Sequence, residues 1–468
     1  MSRPGARRIA SGAALAAIAF GCERVVDPDE ECTLPKILSH SVDANPSNVL
    51  SVLLNVSAAG ADSIVVKFGV DDALREMTPS FPSNSSVTAT FILGLRANTP
   101  YKAQAVAFNA CGTAAGQVAS FTTGSLPPDL PSFVAEGAAA APGYIAFAAG
   151  NYGIVIDNTG RVVWYRHFPD GIGLNFQPQP NGRYTLRPPS PSGQQGRWLE
   201  IDPLGNITRT LTCARNMQPR LHDMIAQPDG SYWLLCDDVR TVDLTAQGRS
   251  AQTRVTGTGV QRLHATGDII FEWSPFDHLE IDLSLLDATD LSGASINWTH
   301  GNALDLDSAG NLLISFRNLS EVTKIDTRTG AVMWRMGGSR NQFTFANVTI
   351  PAFTRQHGVR FTGTGRLQLL DNLGEASSRT EQYEYNDGNR TARLSASYTS
   401  VSSVIAQIGG STQALSAGHT LVSFGNGGSV EEYDAAGNLV WRISGNPGYI
   451  FRAQRIKSLY APGVGDPR

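Results

Sequence analysis

Short runs of alternating apolar and polar residues fill most of the chain, and turns that contain glycine separate them. The stretch 298–338 shows the pattern most clearly, with apolar runs at 303–306, 312–316, 322–325 and 331–336. Asp307-Ser-Ala-Gly310-Asn311, between the first two runs, has the residues typical of a β-hairpin turn. The pattern predicts four short strands in about forty residues, which is the content of one blade of a β-propeller.

The same unit recurs along the rest of the chain as a strand, a polar turn with glycine, and a strand that often ends in tryptophan. The turns of the six units begin at Asp157, Asp202, His264, Asp326, Asn386 and Asp434. Intervals of about 45 to 62 residues suit four-stranded blades with loops of variable length. We therefore expect a six-bladed propeller over residues 143–468, with residues 451–460 packed on the ring or closing it. A tandem of β-sandwiches is the alternative fold, but it would not give this period.

A smaller β domain is predicted before the repeats, over residues 35–124. Its clearest signal is the segment 93–109, in which Tyr101 follows Leu93-Gly-Leu95 and opens an alternating run. This segment resembles the E–F corner of a fibronectin type III domain, where a tyrosine hydroxyl bonds to the backbone upstream. Residues 125–142, which contain four prolines, are predicted to be a stiff linker. The expected fold class is thus all-β, a six-bladed propeller after a small β-sandwich.

Composition supports this fold class and excludes some functions. The 468 residues include 47 glycines and 25 prolines, only 17% are charged, and no long helical periodicity follows the first twenty residues. The formal net charge is −4, and no cluster of lysine and arginine is visible after the N-terminus. A nucleic-acid partner is therefore not expected.

The N-terminus resembles an export signal. Three arginines precede an apolar run that ends at Gly21-Cys22, so residues 1–21 are predicted to be a lipoprotein-type signal peptide. Cys22 is the predicted lipidation site, and the acidic residues 22–34 are the predicted tether. Ordinary secretion is the alternative, since Ala19 and Phe20 depart from the usual lipoprotein pattern. Both readings predict an exported protein. The lipoprotein reading places it in the cell envelope, facing the periplasm or the cell surface, with membrane contact through the lipid on Cys22.

Four further cysteines suggest disulfides, because an even number in an exported chain is typical of them. We expect the pairs Cys32–Cys111 and Cys213–Cys236, since each pair falls inside one predicted domain. None of the four has the spacing of metal ligands, so no metal site is predicted from them.

Three histidines stand at the same position of the first hairpin in successive units: His222, His300 and His357. Because equivalent positions of the blades surround the central channel, the three should meet at one of its mouths. Arg317 ends the second strand of its unit, and the hairpin should bring it back beside His300. A lone histidine is more often a hydrogen-bonded core residue, but three in register beside an arginine favour a functional site.

The repeat region resembles the bacterial aryl-sulfate sulfotransferases, which do not need an adenylyl sulfate donor. The segments that carry the resemblance are His300-Gly-Asn302, Ser315-Phe-Arg317-Asn318, Lys324–Gly338, Phe353–His357 and Phe271-Glu-Trp273. They extend over most of residues 143–460, in matching order and with matching turns.

The resemblance implies a role for each matching residue. His357 corresponds to the nucleophile that is transiently sulfated, His300 and Arg317 to residues that bind the sulfuryl group, and His222 to the remaining site histidine. Asn302 falls where a further polar contact to the substrate is expected. One departure is Gly358, since an acidic residue commonly follows the nucleophile in this family.

The implied activity is transfer of a sulfuryl group from a phenolic sulfate ester to a phenol, in two steps and without a cofactor. His222 or His300 would exchange the proton with the leaving and entering oxygens. The expected partners are thus a small phenolic sulfate donor and a phenol acceptor, and a homodimer is an open alternative for the assembly.

The three histidines allow two other interpretations. Three histidines could bind Zn²⁺ or Fe²⁺, but an arginine beside them favours an anion. A propeller lipoprotein without catalytic activity could bind an anionic or sulfated ligand, or a partner protein, at the same mouth. A glycosidase site or a serine triad fits worse, since no carboxylate pair shares a blade position and no G-x-S-x-G motif occurs.

Overall fold

The computed structural model describes residues 32–84, 86–374, 376–444 and 448–468. The predicted signal peptide, the lipidation site Cys22 and most of the tether lie outside the described residues. Those that are described form strands and four 3-10 turns but no α-helix, so the all-β prediction is confirmed. None of them forms a helix that is long and apolar enough to cross a membrane. The 3-10 turns are Thr245–Gln247, Pro275–Asp277, Arg317–Leu319 and Ser416–Gly418.

The N-terminal domain consists of two sheets around one apolar core. Its strands are β1 (Lys36–Ala44), β2 (Val52–Ala59), β3 (Ser63–Gly69), β4 (Glu76–Met77), β5 (Phe81–Pro82), β6 (Val87–Ile92), β7 (Pro100–Asn109) and β8 (Gly112–Thr122). One sheet has the order β1-β2-β6 and the other β4-β3-β7-β8, with β5 paired to β3. The Tyr101 hydroxyl accepts a hydrogen bond from the backbone N–H of Arg96 at 3.1 Å. This bond is the one expected of a tyrosine corner, while the resemblance to a fibronectin type III domain stays a prediction.

Six further sheets follow, each of four or five strands. Their strands are β9 (Val134–Glu136), β10 (Tyr144–Ala149), β11 (Tyr152–Ile156), β12 (Val162–His167), β13 (Phe176–Pro178), β14 (Tyr184–Leu186), β15 (Trp198–Ile201), β16 (Ile207–Leu211), β17 (Gln218–Ala226), β18 (Tyr232–Val242), β19 (Thr253–Leu263), β20 (Ile269–Trp273), β21 (Ile296–Asn297), β22 (Gly301–Leu306), β23 (Leu312–Phe316), β24 (Glu321–Ile325), β25 (Val332–Gly337), β26 (Thr344–Ala346), β27 (His357–Gly363), β28 (Arg366–Asp371), β29 (Arg379–Asn386), β30 (Thr391–Thr399), β31 (Ser411–Ala414), β32 (Thr420–Ser423), β33 (Val430–Tyr433), β34 (Leu439–Ser444) and β35 (Ala453–Ile456). The sheet orders are β35-β10-β11-β12, β13-β14-β15-β16, β17-β18-β19-β20, β22-β23-β24-β25, β27-β28-β29-β30-β26 and β31-β32-β33-β34-β9, and β21 pairs with β19.

The six turns that the sequence singled out all connect the third and fourth strands of a sheet. Asp157 shows why this turn recurs, since its Oδ1 accepts from the N–H groups of Thr159 and Arg161 at 2.9 and 3.2 Å. Gly160 then takes a φ of 86°, which is costly for other residues. The tryptophans of the fourth strands are buried between neighbouring sheets: Trp164, Trp273, Trp334 and Trp441.

The ring closes at two places that are distant in sequence. β35 pairs with β10, which confirms that the segment 451–460 helps to close the ring. β9 pairs with β34 and extends the last sheet. The prediction that residues 125–142 are only a linker is therefore wrong for Val134–Glu136, which form a strand of the ring because they lie beside an otherwise unpaired edge.

The first strands of the six sheets surround a central channel. β17, β22, β27, β31 and β35 contact one another in turn, and β35 contacts β13. Gln177 of β13 completes the circle, since its amide donates to the carbonyl of Met224 in β17 at 3.3 Å. Residues at equivalent ends of these strands thus face one mouth of the channel.

Both predicted disulfides are present. Cys32–Cys111 fastens the end of the predicted tether to the N-terminal domain, and Cys213–Cys236 joins two neighbouring sheets of the ring. The N-terminal domain packs directly on the ring, where Phe91 stacks on Tyr460 at 5.5 Å.

Candidate active site

The three histidines in register meet at one mouth of the channel. His222 lies in β17, His300 immediately before β22, and His357 is the first residue of β27. The Nε2 atoms of His222 and His300 are 3.2 Å apart, and the ring centres of His222 and His357 are 6.5 Å apart. The predicted convergence is therefore found in the structure.

His357 is held with one ring nitrogen turned away from the protein's acceptors. Its Nδ1 is 2.9 Å from Oδ1 of Asn372 and 3.2 Å from the carbonyl oxygen of Arg355. Both are acceptors, so Nδ1 carries the proton and donates, which leaves a lone pair on Nε2. Burial lowers the pKa of His357 to about 3, so the ring is neutral at pH 7.

Asn372, which the sequence analysis missed, fixes this arrangement. Its amide nitrogen donates to the carbonyls of Ala406 and Gly409 at 2.6 and 3.0 Å, which turns Oδ1 toward His357. Asn372 follows the second strand of its sheet as Arg317 follows the second strand of the preceding one. The signal that identified Arg317, a polar residue just beyond the second strand, would have found Asn372 too.

His222 and His300 form a neutral pair. Burial lowers both pKa values well below the usual range, and the positive charge of Arg220 lowers them further. Nδ1 of His300 is 2.7 Å from the side-chain amide of Asn297. Nδ1 of His222 is buried and has no partner among the described residues, so it can still bond to a ligand.

Arg317 lies where the hairpin argument placed it. Its backbone N–H donates to the carbonyl of His300 at 3.1 Å. Its side chain bonds to Oδ1 of Asn318 at 2.9 Å and reaches the carbonyl of Gln407 at 3.5 Å, and it has no ion pair with a carboxylate in the described part of the chain. Burial lowers the pKa of this guanidinium, followed by repulsion from Arg355.

Two more arginines stand beside the histidines. Arg220 is paired with Asp237, and Arg452 donates to the carbonyl of His222 at 3.0 Å. Burial lowers the pKa of Arg452 to about 9. The Nε–H groups of Arg220, Arg317 and Arg452 are all buried and lack partners among the described residues. Three unsatisfied cationic donors in one place are the arrangement expected for an anion.

An aromatic wall adjoins these charges. The ring of Phe451 is 5.7 Å from that of His222, and Tyr449 lies 6.4 Å beyond Phe451. Arg452 and this wall belong to the segment that closes the ring from the far end of the sequence. No spacing from a hairpin glycine marks these residues, so the repeat pattern could not identify them.

Asn302 lies near the site, but its side chain hydrogen-bonds to the protein backbone. Its amide nitrogen donates to the carbonyl of Gln356 at 2.6 Å, directly before His357, while its Oδ1 has no partner among the described residues. A contact between Asn302 and the substrate stays a prediction.

Gly358, the departure from the family pattern, has a structural reason. Its φ is +64°, and a Cβ at this position would lie 3.0 Å from Cα of Ser411 in the neighbouring first strand. An acidic residue here would require β31 to move.

The chemistry of the site suits an anion better than a metal ion. Within the described residues, no group of three or more histidine, cysteine, aspartate or glutamate side chains is arranged to hold a metal. Three arginines around the histidines would also repel a cation.

Comparison with known proteins identifies one family. Residues 207–446, just over half of the chain, match the model of the arylsulfotransferase (ASST) family. No curated protein matches the chain.

Three of the solved structures that match share only 12–13% of their residues with the chain, and their TM-scores are below 0.5. A protein of unknown function from Bacteroides caccae has 12% identity and a TM-score of 0.44, covering 68% of this chain and 100% of that one. A streptogramin B lyase has 13% identity and a TM-score of 0.37, and the match covers 67% of this chain and 84% of the lyase. A catalytically inactive virginiamycin B lyase from Staphylococcus aureus with quinupristin has 12% identity and a TM-score of 0.34. This match covers 84% of this chain and 99% of the lyase.

Proposed function

The chain belongs to the arylsulfotransferase family, and on this basis we propose that it moves a sulfuryl group from a phenolic sulfate ester to a phenol through a sulfohistidine at His357. The observation that carries the proposal is the orientation of His357. Asn372 accepts from the protonated Nδ1, and Nε2 keeps a lone pair that, among the described residues, faces only the N–H of Gly409 at 3.4 Å. Arg317 and Arg452 lie nearby with Nε–H groups that have no partner among the described residues.

In the first step, Nε2 of His357 attacks the sulfur. The N–S bond forms as the bond from sulfur to the phenolic oxygen breaks. The sulfuryl oxygens accept from the free Nε–H groups of Arg220, Arg317 and Arg452, which are already in place before the reaction. Positioning and charge stabilisation thus supply most of the catalysis, as in phosphoryl transfer.

The proton of the phenol passes through the pair His222–His300. An anionic sulfate ester offsets the field of the arginines and raises the pKa of the pair, so that one ring takes up a proton. That proton goes to the departing phenoxide. In the second step the acceptor phenol returns a proton to the pair, its oxygen attacks the sulfur, and His357 is released neutral.

The test is a turnover assay with 4-nitrophenyl sulfate. We expect steady release of 4-nitrophenol only when phenol is present, and without phenol a burst of one equivalent with a sulfuryl group on His357. His357→Ala should lower turnover by at least about 10⁴-fold. The matched control is His264→Ala, an exposed histidine at a turn, which should not change the rate. A folded protein that turns over none of a panel of aryl sulfates would contradict the proposal and leave ligand binding as the remaining function.

We also propose that the protein is exported and anchored through a lipid on Cys22, with the N-terminal domain as a spacer. The two disulfides support an oxidising compartment. Cys22→Ala should move the protein from the membrane fraction to the soluble fraction of the envelope, and an unchanged distribution would argue against the anchor.

A further inference from the structure

Four exposed aliphatic side chains, Leu285, Leu373, Ile405 and Ile408, belong to segments that hydrogen-bond to the site. Their exposed fractions are 38%, 38%, 50% and 46%, although aliphatic side chains of this size are usually buried. We call these four residues the apolar rim.

Three rim residues adjoin groups that hold His357. Leu373 follows Asn372, whose Oδ1 accepts from His357. Ile405 precedes Ala406, whose carbonyl accepts from the amide of Asn372 at 2.6 Å. Ile408 precedes Gly409, whose N–H points at Nε2 of His357 at 3.4 Å.

Leu285 reaches the same mouth from another part of the ring. It lies on the long connection between β20 and β21, and its carbonyl accepts from the guanidinium of Arg355 at 3.1 Å. The carbonyl of Arg355 in turn accepts from Nδ1 of His357. Two segments that are distant in sequence therefore bring exposed aliphatic residues next to the groups that hold His357, which residues scattered over the surface would not do.

The floor of the mouth and its edge differ in chemistry. The floor holds buried arginines with free donors, whereas the edge is aliphatic and Tyr449 continues it toward Phe451. A ligand that satisfies both is anionic at one end and apolar over the rest of its length.

We propose that the rim binds the apolar body of the substrate beyond the reacting ring, so that the preferred donors and acceptors are phenols with extended alkyl or aryl substituents. This inference rests on the proposed function and narrows its substrate class. A small polar phenol would fill the floor and leave the rim exposed to water.

The test is a series of 4-alkylphenol acceptors, from methyl to hexyl, with a fixed donor. We expect kcat/KM to rise by about fourfold for each methylene that contacts the rim. The double variant Ile405→Ser/Ile408→Ser should flatten this dependence, measured as the ratio of hexylphenol to methylphenol. Leu373→Ser is a second, milder variant in case the double variant does not fold. Ile207→Ser is the matched control, since Ile207 is 52% exposed on the outer strand β16, and it should keep the full ratio.

The outcomes separate this inference from the proposed function. If phenols are turned over at rates that do not depend on chain length, the proposed role of the apolar rim is wrong, but the proposed function is not affected. If no phenol is turned over, the binding affinities of 4-hexylphenyl sulfate and phenyl sulfate are compared, which tests the role of the apolar rim without turnover. Tighter binding of the hexyl compound, weakened in the double variant, supports it, and equal binding overturns it. Loss of binding to neutral lipid vesicles in the double variant, without an effect on phenols, would show a membrane contact and also overturn the proposal.

Discussion

The channel contains two groups of buried arginines that differ in what they contact. Deep in the channel, Asp223 is fully buried, 2.9 Å from Arg360 and 3.3 Å from Arg468. At the mouth, Arg317 is partly buried and contacts only an amide and a carbonyl, with no ion pair among the described residues. The deep arginines thus share a buried carboxylate, whereas Arg317 has none within ion-pair distance in the described part of the chain.

This difference separates a structural charge cluster from a ligand site. Burial alone would raise the pKa of Asp223, but Arg360, Arg452 and Arg468 outweigh it and hold that pKa below its usual value. The deep charges thus neutralise one another, although Nε of Arg468 also lacks a hydrogen-bond partner among the described residues. The mouth arginines retain unbonded donors, and a buried donor without a partner is costly unless a ligand supplies the acceptor. Removing a charge should therefore affect folding in the first group and activity in the second.

The largest effect is expected from Arg360→Met. The substitution removes the shortest ion pair of Asp223 and should destabilise the ring by about 3–5 kcal/mol, because one partner of a buried pair is left behind. A fall in melting temperature on the order of 10 °C is the measurement. Asp223→Leu/Arg360→Met, which removes both partners, should recover part of the loss. A melting temperature close to wild type in the single variant would mean that the deep charges are not a structural pair.

Arg317→Lys should have the opposite effect, a large loss of activity with little change in stability. Lysine keeps the charge but loses the forked donors, so kcat/KM should fall by about 10²–10³-fold. The stability should change by less than about 1 kcal/mol, because no carboxylate depends on Arg317. Arg328→Lys is the matched control at an exposed position, with 83% of its side chain in solvent. Unchanged turnover together with a large loss of stability would place Arg317 with the structural group.

Local patterns predicted the sheets well, because the turn Asp-x-x-Gly bonds within itself and alternation assigns each strand its buried face. They did not predict which distant strands complete a sheet. β9 and β35 pair with β34 and β10 through contacts between residues about 300 positions apart, as Arg442 with Glu136. Such pairing depends on the closure of the ring, and the residues near each strand in the sequence do not indicate it.

The residues of the site also divide into those that a local pattern predicts and those that it does not. His222, His300 and His357 were found because each keeps its place in a repeated hairpin. Arg452 and Phe451 were missed because they directly precede β35, which enters the first sheet from the far end of the sequence. The neutral state of the histidines also needed the structure, since it follows from burial and from neighbouring arginines.

Acid should weaken the two groups in different pH ranges, and this is the smallest of the expected effects. The pKa of His357 is about 3 in the folded protein and about 6.5 when unfolded. Between these values the unfolded chain takes up a proton that the folded site does not, so stability falls with falling pH by up to about 1.4 kcal/mol per unit. Asp223, whose pKa is lowered from 3.8, loses its contribution only below about that pH.

Melting curves of wild type and His357→Gln at pH 7, 6 and 5 isolate the histidine, because the carboxylates are the same in both proteins. Acidification from pH 7 to pH 5 should destabilise the wild type more than the variant, by about 1–2 kcal/mol. His264→Gln, at an exposed turn, should follow the wild type. If wild type and His357→Gln lose stability in parallel over this range, then His357 is not held neutral at the mouth, and the proposed nucleophile would be protonated in mild acid.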